Sequence, residues 1–294
     1  MSLIEKAAKH LEGLQPPKDA GAPRTGPAPA VSAEASAVSA HARAEPAGIS
    51  SVRPQMSRQI DVDQERLAAA GFVVPAAPNS LIAEEFRVMK RPLLVNAAGR
   101  SETPVRNANL IMVTSALPQE GKSFVALNLA MSVAMELERT ALLIDADVAR
   151  PSVPKMLDVP ASAGLLDILQ DKSIDLSDVL LRTNVPKLNL LMAGTSCPNA
   201  TELLASEAMA KLLNEMATRY SDRIIIFDSP PLLMSTEARV LASHVGQIVF
   251  VVHAEQTKQS DVLEALATIE DCPIKFAVLN QARNDEKMIY GYGR

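Results

Sequence analysis

The sequence contains no tryptophan, and six phenylalanines and three tyrosines are its only aromatics, 3% of 294 residues. Its hydrophobic fraction of 48% is ample for a globular domain. The core must therefore come from Ala, Val, Ile, Leu and Met. Cysteine is nearly absent too. Cys197 and Cys272 lack the paired spacing of a zinc site or a redox motif, so reduced thiols of a cytosolic protein are expected. No run of about 18 apolar residues exists, which excludes a spanning helix. Charges scattered through MSLIEKAAKHLEGLQ speak against a secretory signal. Positive charge is not in excess: the net charge is −5, and no nucleic-acid or anionic-membrane partner is expected.

Composition divides what remains. Leu3, Ile4, Ala7, Ala8, Leu11 and Leu14 recur at helical spacing, predicting a short amphipathic helix over residues 1–15. Residues 16–78 read as a largely disordered linker. From Pro16 to about Gln55 the chain is Pro, Ala, Gly and Ser, too poor in large apolar groups to offset ordering entropy. Order returns weakly at 62–74 and firmly at Asn79, where Asn79-Ser80 precede the helix-like run LIAEEFRVMKRPLL. From residue 108 onward, short apolar runs (110–114, 141–146, 188–193, 224–229, 247–253, 275–280) alternate with helical stretches. Runs that are apolar on both faces suit strands covered on both sides. The expected fold is α/β, a doubly wound, mainly parallel sheet with helices on both faces. The folded domain is expected over 79–286, with a flexible tail over 287–294.

The first of these strands, LIMVT, runs into Ser115-Ala-Leu-Pro-Gln-Glu-Gly121-Lys122-Ser123 and then a helix, FVALNLAMSVAMEL. Strand, loop and helix in this order are the context a phosphate-binding Walker A loop requires. Backbone N–H groups of Pro118–Phe124, where present, and the helix N-terminus would surround an anion with positive potential. Gly121 permits close backbone approach, Lys122 reaches the β- and γ-phosphates, and Ser123 offers a hydroxyl to Mg²⁺. Pro118, Gln119, Glu120 and Phe124 complete the nucleotide-contacting set. Ala116 stands where the pattern's first glycine belongs, a modest loss of backbone freedom.

Two further strands end in acids. ALLIDADVARP places Asp145 and Asp147 at a strand's carboxyl end, where parallel sheets bind ligands. IIIFDSPP ends in Asp228, matching a Walker B carboxylate, and Pro230-Pro231 fix the loop that follows. Three carboxylates near a triphosphate need a cation, so ATP and Mg²⁺ are the expected ligands, with Ser123, Asp147 and Asp228 on the metal side. Asp145 is the candidate base for an acceptor hydroxyl; its role and that of Asp147 are interchangeable at this point. Arg150, just beyond, is placed to meet a phosphate or a neighbouring subunit.

Together these motifs resemble the Walker A, A′ and B elements of the bacterial tyrosine autokinases, over about residues 79–294. The resemblance is nearest to soluble kinases of exopolysaccharide systems. It implies autophosphorylation of a tyrosine-bearing tail, here Tyr290 and Tyr292 in KMIYGYGR, on a neighbouring subunit. It implies a homo-oligomer built on an E-x-x-R-x-x-R helix motif, represented by Glu84, Arg87 and Lys90, with Lys90 in place of the final Arg and Arg91 adjacent as its alternative. It also implies a separate transmembrane chain-length-determinant protein as activator, and hence a cytoplasmic protein peripheral to the inner membrane. Asn280 ends the last strand, where relatives of this fold contact adenine; a turn-forming Asn is an equal reading. The rival family, septum-site and partitioning ATPase switches, carries an early loop lysine where this chain has Leu117.

Overall fold

A computed structural model describes residues 58–100, 104–220 and 222–282. The expected N-terminal helix, most of the linker and the tail with Tyr290 and Tyr292 lie outside them. Eight strands form one sheet in the order β1-β4-β5-β3-β6-β2-β7-β8. They are β1 (Gln59–Ile60), β2 (Leu110–Ser115), β3 (Thr140–Asp145), β4 (Leu181–Thr183), β5 (Leu188–Leu191), β6 (Arg223–Asp228), β7 (Gln247–His253) and β8 (Ile274–Asn280). Every pairing is parallel except β4 with β5.

The apolar runs do what their lack of alternation implies. Leu110 and Met112 of β2 enter one core cluster, Ile111 and Val113 the other, on the opposite face. The same split holds for Ile225 and Phe227 against Ile224 and Ile226 in β6. Each central strand is thus buried on both faces. β8 departs from this: as an edge strand it alternates, with Lys275, Ala277 and Leu279 exposed.

Helix α1 (Gln64–Ala69) is capped by Asp63, whose side chain accepts from Arg66 N–H. Helix α2 (Leu81–Ala97) is capped in the same way by Ser80. The segment expected as linker up to residue 78 is instead folded from residue 58. Val62, Leu67, Val73 and Val74 are buried, and Asn184 clasps Val62 by accepting from its N–H and donating to its carbonyl. Four large apolar residues and a parallel strand pairing give this stretch burial that the Pro/Ala-rich segment lacks. Helix α3 (Lys122–Ala134) follows the phosphate loop and is buried at every position from Val125 onward. Its buried Asn128 accepts from Val73 N–H, tying the N-terminal segment to the helix behind the loop.

The remaining helices are α4 (Val153–Leu157), α5 (Leu165–Gln170), α6 (Leu176–Val179), α7 (Ala200–Leu204), α8 (Glu207–Arg219), α9 (Thr236–His244) and α10 (Gln259–Ala267). Among the described residues, no helix is long and apolar enough to cross a membrane.

Candidate active site

The site lies at the carboxyl edge of β3, β6 and β2, where parallel strands deliver their loops to one side. Gly121 sits at the N-terminus of α3 with φ 92°, and Gln119 also adopts a left-handed conformation at φ 66°. Ala116 does not, which is why alanine replaces the motif's first glycine without backbone strain. A Cβ on Gly121 would come within 1.9 Å of Asn280 Nδ2. Glycine is therefore required here twice over, by its φ and by close packing.

The loop is held from behind. Glu120 is 3% exposed and turns inward. Its carboxylate accepts from Leu117 N–H at 2.8 Å and from the Thr257 hydroxyl in the β7–α10 connection. Asn280, at the end of β8, donates to the Glu120 carbonyl at 2.9 Å. The Ser115 hydroxyl donates to Leu117 O at 2.7 Å. The Glu120 carboxylate is consumed inside the loop and holds its shape. The Phe124 ring packs on Phe72 at 4.9 Å between centroids.

Lys122 Nζ lies 3.0 Å from Asp147 Oδ2. Asp145 and Asp228 are register partners across β3 and β6, so two fully buried carboxylates stand side by side. Asp145 Oδ2 accepts from the N–H groups of Ser152 and Val153, both at 3.1 Å. The Ser152 hydroxyl donates to Asp228 Oδ2 at 3.2 Å, and Ser123 also bonds Asp228. Asp145 Oδ1 and Asp228 Oδ1 are buried without a protein partner. Burial, reinforced by the Asp228 charge, pushes the Asp145 carboxyl up to about 8, against the pull of its two backbone donors. Burial raises Asp228 to about 6, with Lys122 and Ser123 opposing. Burial thus favours the protonated carboxyls, and a cation between them would favour their ionised forms.

The predicted residues Lys122, Ser123, Asp145, Asp147 and Asp228 are therefore brought together, with Pro118, Gln119 and Gly121 in the loop and Asn280 on its far flank. Glu84 and Arg87 lie on α2, away from the site and exposed or half-buried, and pair with each other. Lys90 does not share their face. It is 4% exposed, donates to Ser132 O at 2.6 Å at the end of α3, and pairs with Glu136 at 2.7 Å. Six residues along a helix turn a side chain by about 120° from the starting face, so Lys90 points inward, while exposed Arg91 returns to the face of Glu84. Sequence reasoning missed Ser152 and Thr257. Neither stands in a motif, and both reach the site from later loops.

An anion cradle opening a helix above the carboxyl edge of a parallel sheet marks the P-loop NTPases. The family model described as ParA, NUBPL iron-transfer P-loop NTPase, matches residues 106–276. The putative tyrosine-protein kinase CapB of Staphylococcus aureus is 33% identical over 217 residues, covering 73% of this chain and 91% of that protein. The tyrosine-protein kinase YwqD of Bacillus subtilis is 31% identical, covering 73% and 87%. The kinase domain of the Escherichia coli tyrosine kinase ETK superimposes with a TM-score of 0.60 at 26% identity, over 83% of this chain and 89% of that domain. Within the P-loop class, the chain belongs to the bacterial tyrosine-protein kinase family.

Proposed function

We propose that this chain is an ATP-dependent protein-tyrosine autokinase that phosphorylates Tyr290 and Tyr292 of a neighbouring copy. The observation that carries the reading is the meeting of Lys122, Asp147 and the adjacent pair Asp145 and Asp228 at the phosphate loop. Lys122 exchanges Asp147 for the β- and γ-phosphates when a nucleotide enters. The N–H groups at the start of α3 stabilise charge on the same oxygens. The acceptor's phenolic oxygen bonds to the γ-phosphorus, the bond to the bridging oxygen breaks, ADP leaves, and the phenolic proton passes to a carboxylate. Asp145 is the favoured recipient. Ligand-free, it holds a proton up to about pH 8, so it must ionise as cation and nucleotide bind before it can take one from the phenol.

The residues fit Mg²⁺. Ser123, Asp147 and Asp228 supply hard oxygen donors, and Asp228 Oδ1 has no other partner. Among the described residues no three His, Cys, Asp or Glu side chains form a ready-made cage. Mg²⁺ keeps several waters and takes phosphate oxygens, so a few protein donors suffice. When bound, it neutralises charge on the transferring phosphoryl group.

Glu84, Arg87 and Arg91 present a charged face on α2 for assembly, and Lys90 is excluded from it. The family resemblance adds a separate transmembrane chain-length-determinant protein as activator and control of exopolysaccharide polymerisation and export as the role. Incubation with ATP and Mg²⁺, with and without such a partner's cytoplasmic segment, followed by phosphosite mapping, tests the reading. Phosphate on Tyr290 and Tyr292, lost in the Tyr290→Phe/Tyr292→Phe chain, supports it. Phosphate release with an unlabelled tail refutes it in favour of an ATPase switch.

A further inference from the structure

Ser152 stands at the start of α4 and does not serve that helix as a capping serine does. Such a serine accepts a hydrogen bond from the second or third N–H of its own helix. The second residue of α4 is Pro154, which has no N–H, and the Ser152 hydroxyl makes no capping bond. The acceptor comes from another element. Asp145 Oδ2, at the end of β3, takes the N–H groups of both Ser152 and Val153 at 3.1 Å. Released from its own helix, the Ser152 hydroxyl crosses to the neighbouring strand β6 and donates to Asp228 Oδ2 at 3.2 Å.

Residues 150–153 thus form a strap across all three acids of the site. Asp147 Oδ1 accepts from Arg150 N–H at 3.1 Å, Asp145 from Ser152 and Val153, and Asp228 from the Ser152 hydroxyl. Ser152 bonds both members of the buried pair, one through its N–H and the other through its side chain. Both bonds go to Oδ2 atoms, and the Oδ1 atoms are the ones left buried without a protein partner. The terminal torsion of an aspartate is soft, so a bond to one oxygen decides where the other points. Asp228 also receives a bond from Ser123. In the metal-bound state proposed above, the Ser123 hydroxyl turns to Mg²⁺, and Ser152 is the hydroxyl that stays on Asp228.

We infer that Ser152 is a positioning residue for the Asp145–Asp228 pair, holding Asp228 by Oδ2 so that Oδ1 is left for the cation. The inference rests on the reading that Asp228 serves Mg²⁺ and adds the residue that orients it. Serine suits the task. Its half-buried side chain is short enough to reach β6 while its main chain stays bonded to Asp145 on β3. Because the hydroxyl caps nothing, its removal acts on Asp228 and not on α4.

The test is the Mg²⁺ dependence of N-methylanthraniloyl-ADP binding to the full-length chain, followed by fluorescence, in wild type, Ser152→Ala and Ser152→Thr. Loss of a hydrogen bond to a charged group should raise the Mg²⁺ concentration for half-saturation about tenfold in Ser152→Ala. In EDTA the same variant should bind the nucleotide as wild type does, since Ser152 touches the acids and not the phosphate loop. Ser152→Thr keeps the hydroxyl and should restore most of the Mg²⁺ response. An unchanged Mg²⁺ half-saturation in Ser152→Ala overturns the inference, and so does a Ser152→Thr chain as weak as Ser152→Ala. A parallel fall of affinity in EDTA overturns it too, by making the effect a distortion of the loop. Wild-type binding indifferent to Mg²⁺ would remove the metal reading and this inference with it. A Mg²⁺-dependent wild type beside an unaffected Ser152→Ala would sink the inference alone.

Discussion

Asp145→Asn should make the ligand-free protein more stable and erase most of its sensitivity to pH. Asp145 is fully buried, and its carboxyl is pushed up to about 8. In the unfolded chain it returns to about 3.9. Between those values the folded chain holds a proton that the unfolded chain has released, so stability falls as pH rises. The cost is absent below about pH 4 and complete above about pH 8, and it grows by roughly 1.4 kcal/mol per pH unit between. From pH 5 to 7, Asp145 alone should cost the protein roughly 3 kcal/mol. Asparagine keeps an oxygen for the N–H groups of Ser152 and Val153 and sets an amide beside Asp228, where Asp145 Oδ1 now lacks a partner. Urea denaturation in EDTA at pH 5, 6, 7 and 8 reads the effect. The wild-type midpoint should fall steadily, and the variant's should change little beyond the smaller contribution of Asp228 below about pH 6. Parallel curves for the two proteins would refute the reasoning. The proposed role of Asp145 as proton acceptor predicts in addition that the variant is inactive.

Further outcomes follow from the same geometry. Binding of Mg²⁺-ATP should strengthen between pH 6 and 8 with proton release, because the raised carboxyls must ionise; calorimetry in buffers of different ionisation enthalpy measures it. Gly121→Ala should abolish nucleotide binding and destabilise by about 1–2 kcal/mol, and adding Asn280→Ala should recover part of the stability by clearing the clash. Lys90→Met should cost about 2 kcal/mol in denaturation without changing the sedimentation coefficient, whereas Arg87→Ala should alter sedimentation and leave stability intact. Glu120→Ala should raise the KM for ATP more than it lowers kcat, and Glu120→Gln, which can still bond Leu117 and Thr257, should restore it.

The fold was readable where burial is two-sided. β7 runs over the same residues, 247–253, that its apolar run marks, β2 differs from its run by one residue at one end, and β3 and β6 are shifted from theirs by one residue. β1 and β4 were not readable. At two and three residues they are too short to carry a period, and each depends on a partner distant in sequence. The site was legible as three strand ends bearing acids and a loop, because the parallel sheet brings such ends together without further information. Side-chain direction was not. Glu120 turns into the loop, Phe124 packs on Phe72, and Lys90 reaches the end of α3, each drawn by a partner far away in sequence or by helix geometry that a spacing of three conceals. Residues 58–78 read as linker because their four buried apolar side chains are spread thinly among polar ones.

Crossed labelling tests the central claim most directly. A Lys122→Met chain keeps its tail tyrosines and lacks the phosphate-binding lysine, while the Tyr290→Phe/Tyr292→Phe chain keeps the site and lacks the acceptors. Mixed with ATP, Mg²⁺ and the activator segment, they should yield phosphate on Tyr290 and Tyr292 of the Lys122→Met chain, with each protein silent alone. Labelling of the Lys122→Met chain by itself, or an unlabelled mixture under conditions where wild type is labelled, would contradict the account.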